Sequence, residues 1–264
     1  FFISPTNGTG ILNITGNFIS SAEFNFTFDD FQASATLNIT GNCSITGGTF
    51  NMSRAASVGT LNLQGNFSHT SGTITETRGG FGSVVFNGTA VQTYTSGGTV
   101  SNNINFTVNE GAILQMAAEN TTITGGGTFT LMSGATLGVT SANGITPEGT
   151  ALGNIRTLYR SYGEGANYIY NGSSAQVTGT GLAQEQKIPA NLTIDNPNGV
   201  ILSEQTTISG LLIMAEGTLD IANTNLTIGS LTGSSNITNS SGTAANVIIT
   251  VGSDNTSPAA YSGA

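Results

Sequence analysis

Charge is what this chain has least of. Only 7% of its 264 residues are charged, against about a quarter in ordinary globular chains. Lys187 is the single lysine, and Arg54, Arg78, Arg156 and Arg160 are scattered. No basic stripe exists to neutralise phosphates, so neither nucleic acid nor an anionic membrane surface is an expected partner. No apolar run approaches the length of a membrane span. Tryptophan is absent, and the one cysteine, Cys43, excludes an intramolecular disulfide. Its register with Phe18 and Phe67 makes it a small buried hydrophobe filling a phenylalanine slot.

Catalytic groups are equally sparse. The one histidine, His69, lies in Phe67-Ser68-His69-Thr70 with no carboxylate motif beside it. It is expected to be a solvent-facing strand residue. Asp29-Asp30, Glu76, Asp195 and Asp220 fall in different segments, whereas acid–base chemistry on sugars needs clustered carboxylates. Asp29-Asp30, between Phe28 and Phe31, reads as a charged turn, because Ca²⁺ wants six to eight oxygens and no Asp-rich repeat supplies them. No catalytic, metal or cofactor-binding residue is assigned, and the chain is not expected to be an enzyme. A polysaccharide-active β-helix enzyme is a minor alternative.

What the chain has instead is asparagine in Asn-x-Ser/Thr. The triplets begin at Asn7, Asn13, Asn25, Asn38, Asn42, Asn51, Asn66, Asn87, Asn105, Asn120, Asn171, Asn191, Asn225, Asn236, Asn239 and Asn255. Most hold an apolar middle residue, as in Asn38-Ile39-Thr40 or Asn105-Phe106-Thr107. Side chains alternate in a strand, so the middle residue points inward while Asn and Thr face solvent. An outward Asn-x-Thr is a site where a glycan can be attached without disturbing a core. Strand geometry favours Asn13, Asn25, Asn38, Asn105, Asn191 and Asn225. Asn255 is poorer, with Pro258 close behind, and Asn42 shares a turn with Asn38. A structural reading competes. Outer strand positions filled with Asn and Thr manufacture such triplets by alternation, and Asn17 and Asn62 hold repeat-equivalent positions without one. Asparagines at such positions can also stack into hydrogen-bonded ladders.

Repetition decides the expected fold. Ile11-Leu12-Asn13-Ile14-Thr15-Gly16-Asn17-Phe18 aligns with Thr36-Leu37-Asn38-Ile39-Thr40-Gly41-Asn42-Cys43 and with Thr60-Leu61-Asn62-Leu63-Gln64-Gly65-Asn66-Phe67. A longer duplication matches Val85-Phe86-Asn87-Gly88 through Gln92 to Ile169-Tyr170-Asn171-Gly172 through Gln176. Asn105-Phe106-Thr107-Val108 then matches Asn191-Leu192-Thr193-Ile194, and Gly111-Ala112-Ile113-Leu114 matches Gly199-Val200-Ile201-Leu202. Thr122-Ile123-Thr124-Gly125 matches Thr207-Ile208-Ser209-Gly210. Short alternating strands broken by Gly and Asn-Gly cannot bury one apolar face alone, but stacked coils can. The expected fold is all-β, a right-handed parallel β-helix with coils of about 20–25 residues. Eleven or twelve such coils would make a rod of roughly 55 Å. A β-sandwich or jelly roll is the alternative. The expected organisation is 1–146 and 166–264 as solenoid coils, with 147–165 as a junction or loop.

The runs "TLNITGN", "SGGTVSNNINFTVNEGA", "FTLMSGATLGVTSANGI" and "NLTIDNPNGVILSEQTTISGLLIMAEGTLDI" resemble repeat regions of large secreted surface proteins of Bacteroidetes-type bacteria, over roughly residues 9–232. The resemblance implies a β-helical stalk within a cell-surface adhesin or extracellular fibre. Archaeal surface and thread proteins are a weaker resemblance, through low charge and dense triplets.

These readings converge on an extracellular, glycosylated structural fibre or stalk. The chain, opening on Phe1-Phe2, reads as a mature product or a segment of a longer secreted chain. Covalent glycans are expected and no other cofactor. The partner expected first is another copy, end to end, with Phe1-Phe2-Ile3 and Val247-Ile248-Ile249-Thr250-Val251 as terminal pieces that cap or join. The alternative is an adhesin module that binds carbohydrate through Tyr159, Tyr162, Tyr168 and Tyr170, although packing is the preferred role of these rings. An ice-binding solenoid is a further minor alternative, through Thr73-Ile74-Thr75 and Thr128-Phe129-Thr130.

Overall fold

The computed structural model describes residues 8–26, 33–182, 187–241, 245 and 247–249. Among them no helix is present, and every strand pairing is parallel. The strands stack as a β-solenoid of about nine turns. A sandwich, built from antiparallel sheets, is thereby excluded. The turn count is below the eleven or twelve expected. Early coils take 24 or 25 residues each, and the coil begun at Thr128 does not regain its sheet until Tyr159. Nine turns at one strand spacing each give a rod of roughly 40 Å.

The first sheet stacks Thr9–Ile14, Ser34–Ile39, Val58–Leu63, Phe81–Phe86, Ile104–Val108, Thr128–Leu131 and Tyr159–Tyr162. The second follows it around each coil and runs unbroken from Phe18–Ser20 to Val247–Ile249. A third face is made early on by the far halves of Cys43–Arg54 and Phe67–Thr77, which pair with Phe24–Asn25 and Thr99–Val100. Later it is a separate sheet of Gln176–Val177, Val200–Ile201, Leu219–Asp220 and Ile237–Thr238.

Alternation builds the core directly. On the first sheet Leu37, Leu61, Val84, Phe106 and Phe129 form one fully buried column. On the second, Cys43 lies between Phe18 and Phe67 and is fully buried, as its register implied. Each such side chain contributes about 1.5–3 kcal/mol on burial. The corners repeat as well. Ala112, Ala135 and Ala166 each donate a backbone N–H to the residue three earlier, at 3.0–3.1 Å. The residue before each alanine is a glycine with φ of 73–76°, the left-handed third position of the turn. The alanine that follows is small enough to turn inward into the corner.

The long duplication is real in three dimensions but rotated. Val85-Phe86 lies on the first sheet, whereas its match Ile169-Tyr170 lies on the second. Likewise Asn105–Val108 is on the first sheet and Asn191–Ile194 on the second, while Ile113-Leu114 is on the second and Val200-Ile201 on the third. The second copy has advanced by three turns and one face. A unit of strand, corner and strand can therefore be reused at a different edge of the coil.

Residues 147–158 leave the sheets, and Tyr159–Tyr162 rejoins the first one. Ile155 bridges Ile123 of the coil before, while Ile145 donates to Thr178 O of the coil after. The excursion thus inserts an extra layer on the third face.

Candidate functional site

The outer wall carries the asparagines. Asn13, Asn38 and Asn62 stack in one column of the first sheet. Asn38 Nδ2 donates to Asn13 Oδ1 at 2.7 Å, and Asn62 Nδ2 to Asn38 Oδ1 at 2.8 Å. A second column occupies the next corner. Asn17 Oδ1 accepts from Asn42 N at 2.8 Å, Asn42 Oδ1 from Asn66 N at 2.9 Å, and Asn66 Oδ1 from Thr93 N at 2.8 Å. A third pair is Asn51 Nδ2 to Asn25 Oδ1 at 3.1 Å. The inward middle residues of these triplets, Phe26, Ile39, Cys43, Met52 and Phe67, are buried.

Three further triplets bond to residues outside the set. Asn105 Oδ1 accepts from Thr128 N at 2.8 Å. Asn171 and Gln115 exchange amide hydrogen bonds at 3.1 and 2.8 Å. Asn191 donates to Asn167, which heads no triplet, at 2.7 Å. Asn87 is half-buried at a corner, and Asn120, Asn225, Asn236 and Asn239 are exposed. Asn7 and Asn255 lie outside the described residues, as do Asp29-Asp30, Phe1-Phe2-Ile3, Thr250 and Val251.

The tyrosine cluster is mostly core. Tyr162, Tyr168 and Tyr170 are buried, and only Tyr159 faces solvent, at 54% exposure. Tyr162 packs against Phe129 and Tyr168, and Tyr170 Oη donates to Thr178 O at 2.6 Å. Burial raises the hydroxyl pKa of all three. The threonine array is broken too. Thr75 is buried, and the Thr128 column contains Asn105 below it and Tyr159 above it.

His69 corrects the expectation of a solvent-facing residue. It is fully buried, stacked flat beside Phe67, with Nε2 3.3 Å from Gly72 O. A Cβ on Gly98 would lie 2.1 Å from that Nε2, so the ring fills the space a side chain there would need. Desolvation lowers its pKa below 6.5, outweighing the hydrogen bond to Gly72 that raises it. No partner in the described residues reaches Nδ1, so the ring is not arranged as a general base held by a carboxylate. Burial pushes the Cys43 thiol up to about 12, which leaves it unreactive. Glu76 is buried with one carboxylate oxygen, Oε2, unpartnered among the described residues. Asp220 is held by Ser240 Oγ and by the N–H groups of Ala222 and Ser240 at 3.0 Å. Burial raises its pKa, but those bonds together outweigh it and lower it.

Sequence reasoning missed a set of buried polar clamps. Gln92 Oε1 accepts from Gly88 N at 2.7 Å, while its Nε2 donates to Leu63 O and Gly65 O. Gln176 repeats this with Gly172 N, Val139 O and Ser141 O. Asn154 Oδ1 accepts from Thr140 N and Ser141 N, and its Nδ2 donates to Thr121 O at 2.7 Å. Arg160, nearly buried, donates to Thr146 O, Pro147 O and Thr150 O at 2.9, 2.7 and 2.5 Å. Its backbone N–H donates to Glu148 Oε1 at 2.7 Å. One signal existed: Gln92 and Gln176 occupy matched places in the duplication, each four residues after a glycine.

No protein-family model, no curated protein and no solved structure matches this chain.

Proposed function

We propose that the chain is a rigid segment of an extracellular, N-glycosylated surface fibre or stalk. The observation that carries this is the outer wall: columns of neutral amides and hydroxyls running up an unbroken parallel stack. Hydrogen-bond ladders along the axis and a continuous apolar core supply stiffness. Amides and hydroxyls supply hydration that does not change with pH, which suits a surface exposed to the medium. On this reading the chain performs no catalysis, and copies join end to end through their strand edges, which recruit other strands when uncovered. Carbohydrate binding is the weaker reading, because three of the four tyrosines that would stack on a sugar are buried.

The test is to collect native material from the cell exterior and image it by negative stain, with glycan-array binding on the same sample. Filaments without glycan binding support the fibre. Single particles that bind a defined sugar would replace it with the adhesin reading.

A further inference from the structure

The asparagine triplets divide into two kinds by their neighbours. Asn13 and Asn38, Asn25 and Asn51, and Asn42 and Asn66 are acceptor pairs on consecutive coils. Among the described residues, Asn105, Asn120, Asn171 and Asn191 stand without a second triplet asparagine bonded to them or paired in register. Consecutive coils are separated by one strand spacing, about 4.8 Å. The two side chains of a pair therefore leave the wall about that far apart, and the ladder bonds tie one coil's asparagine to the next.

We propose that each stacked pair carries at most one glycan, so that occupancy within a pair is mutually exclusive while the isolated asparagines are filled independently. This rests on the glycosylated-fibre reading and adds a pattern to it. The geometry of the linkage sets the exclusion. In Asn13–Asn38 and Asn25–Asn51 one Nδ2–H runs along the axis, and in Asn42–Asn66 the axial bond runs from the Asn66 backbone N–H to Asn42 Oδ1; in all three pairs the side-chain amides stand on the outer wall. A sugar attached there projects outward beside the same vector from the next coil. Two glycans at this spacing have room only if every sugar stacks face to face on its neighbour. Any branch or axial substituent removes that room, and even an unbranched pair gives up most of its torsional freedom. A single glycan in the pair keeps both. The exclusion also fits the chemistry of the wall: the undecorated partner still supplies its ladder bond, so Asn13 or Asn38 holds the column whichever of them is modified.

Cleavage after glutamate gives the test a convenient peptide. Glu23 and Glu76 bound a stretch that contains Asn25, Asn38, Asn42, Asn51 and Asn66. Intact-glycopeptide mass spectrometry of native protein should find no molecule with Asn42 and Asn66 both modified, and none with Asn25 and Asn51 both modified. Ser68→Ala removes Asn66 as an acceptor while keeping its side chain in the column. In that variant occupancy of Asn42 should rise by the amount Asn66 had carried. Doubly modified Asn42–Asn66 peptides, or Asn42 occupancy unchanged by Ser68→Ala, overturn the exclusion while leaving a glycosylated protein. A peptide with no sugar at any position overturns the glycosylated reading itself.

Discussion

The early coils and the middle of the rod solve the same packing problem in different ways. From Ser34 to Phe86 successive first-sheet strands pair residue for residue, Leu37 on Leu61 on Val84, Asn38 on Asn62. One rule, repeated, satisfies backbone, core and outer wall together. Between Thr128 and Tyr170 the two sheets still pair residue for residue, but the chain between them lengthens and leaves the third face without that rule. Arg160 answers carbonyls of the excursion at Thr146, Pro147 and Thr150, while Asn154 and Gln176 answer Thr121, Val139 and Ser141 beside it. Paired strands need no special residues, whereas corners and the insertion are held by a few buried polar side chains, Gln92 in the early coils among them. Buried polar groups left without partners cost about 1–3 kcal/mol each.

That contrast can be broken by mutation, and the expected effects fall in order. Phe67→Ala removes a fully buried ring in contact with Phe86 and Tyr94 and should cost about 3–5 kcal/mol in urea or thermal unfolding. Arg160→Met keeps the volume but strips the loop 146–150 of its donors. A loss of about 3 kcal/mol is expected, with new proteolytic cuts between 147 and 153; uncut protein would show that the loop is held by something else. Gln92→Leu removes three hydrogen bonds and should cost about 2 kcal/mol; Gln176→Leu removes the same three at the matched corner and a fourth, from Asn196 Nδ2, and should cost as much or slightly more. A larger loss at Gln92 than at Gln176 would mean that the two corners are alike only in sequence.

A pH effect follows from His69. Its folded pKa lies below the 6.5 of the free side chain, so the unfolded chain binds the proton more readily. The stability associated with the neutral ring is complete above 6.5 and is lost as pH falls toward the folded value. His69→Ile, which matches Ile45 in the same column, should flatten stability across that acid window. A variant as pH-sensitive as the parent would place the effect on another group. The smallest change is Asn62→Ala. It removes the last bond of a half-buried ladder, to Asn38 Oδ1, while leaving every triplet's sequence intact, and should cost about 0.5 kcal/mol.

The fold was largely legible because alternation and a period near 24 residues both survive in the sequence. The apolar middle of each Asn-x-Thr triplet pointed inward, and Cys43 took the slot of Phe18 and Phe67. His69 was misplaced although the same rule covers it. It stands two residues after inward Phe67, so it faces inward too, and reading it by residue type instead of register gave the wrong face. The clamps were illegible for a different reason. A glutamine's task at a corner depends on carbonyls of the preceding coil, 27 and 29 residues away, which no local pattern displays. Arg160 looked like one more scattered charge because its partners belong to a loop without periodicity.

Cryo-electron microscopy of the native material at side-chain resolution tests the central claim most directly. The account predicts parallel coils stacked at about 4.8 Å, a filament built from repeating subunits, and sugar density on the wall, on no more than one member of any stacked asparagine pair. Bare single particles, with the asparagine columns intact but undecorated, would contradict it and reduce those columns to structural ladders.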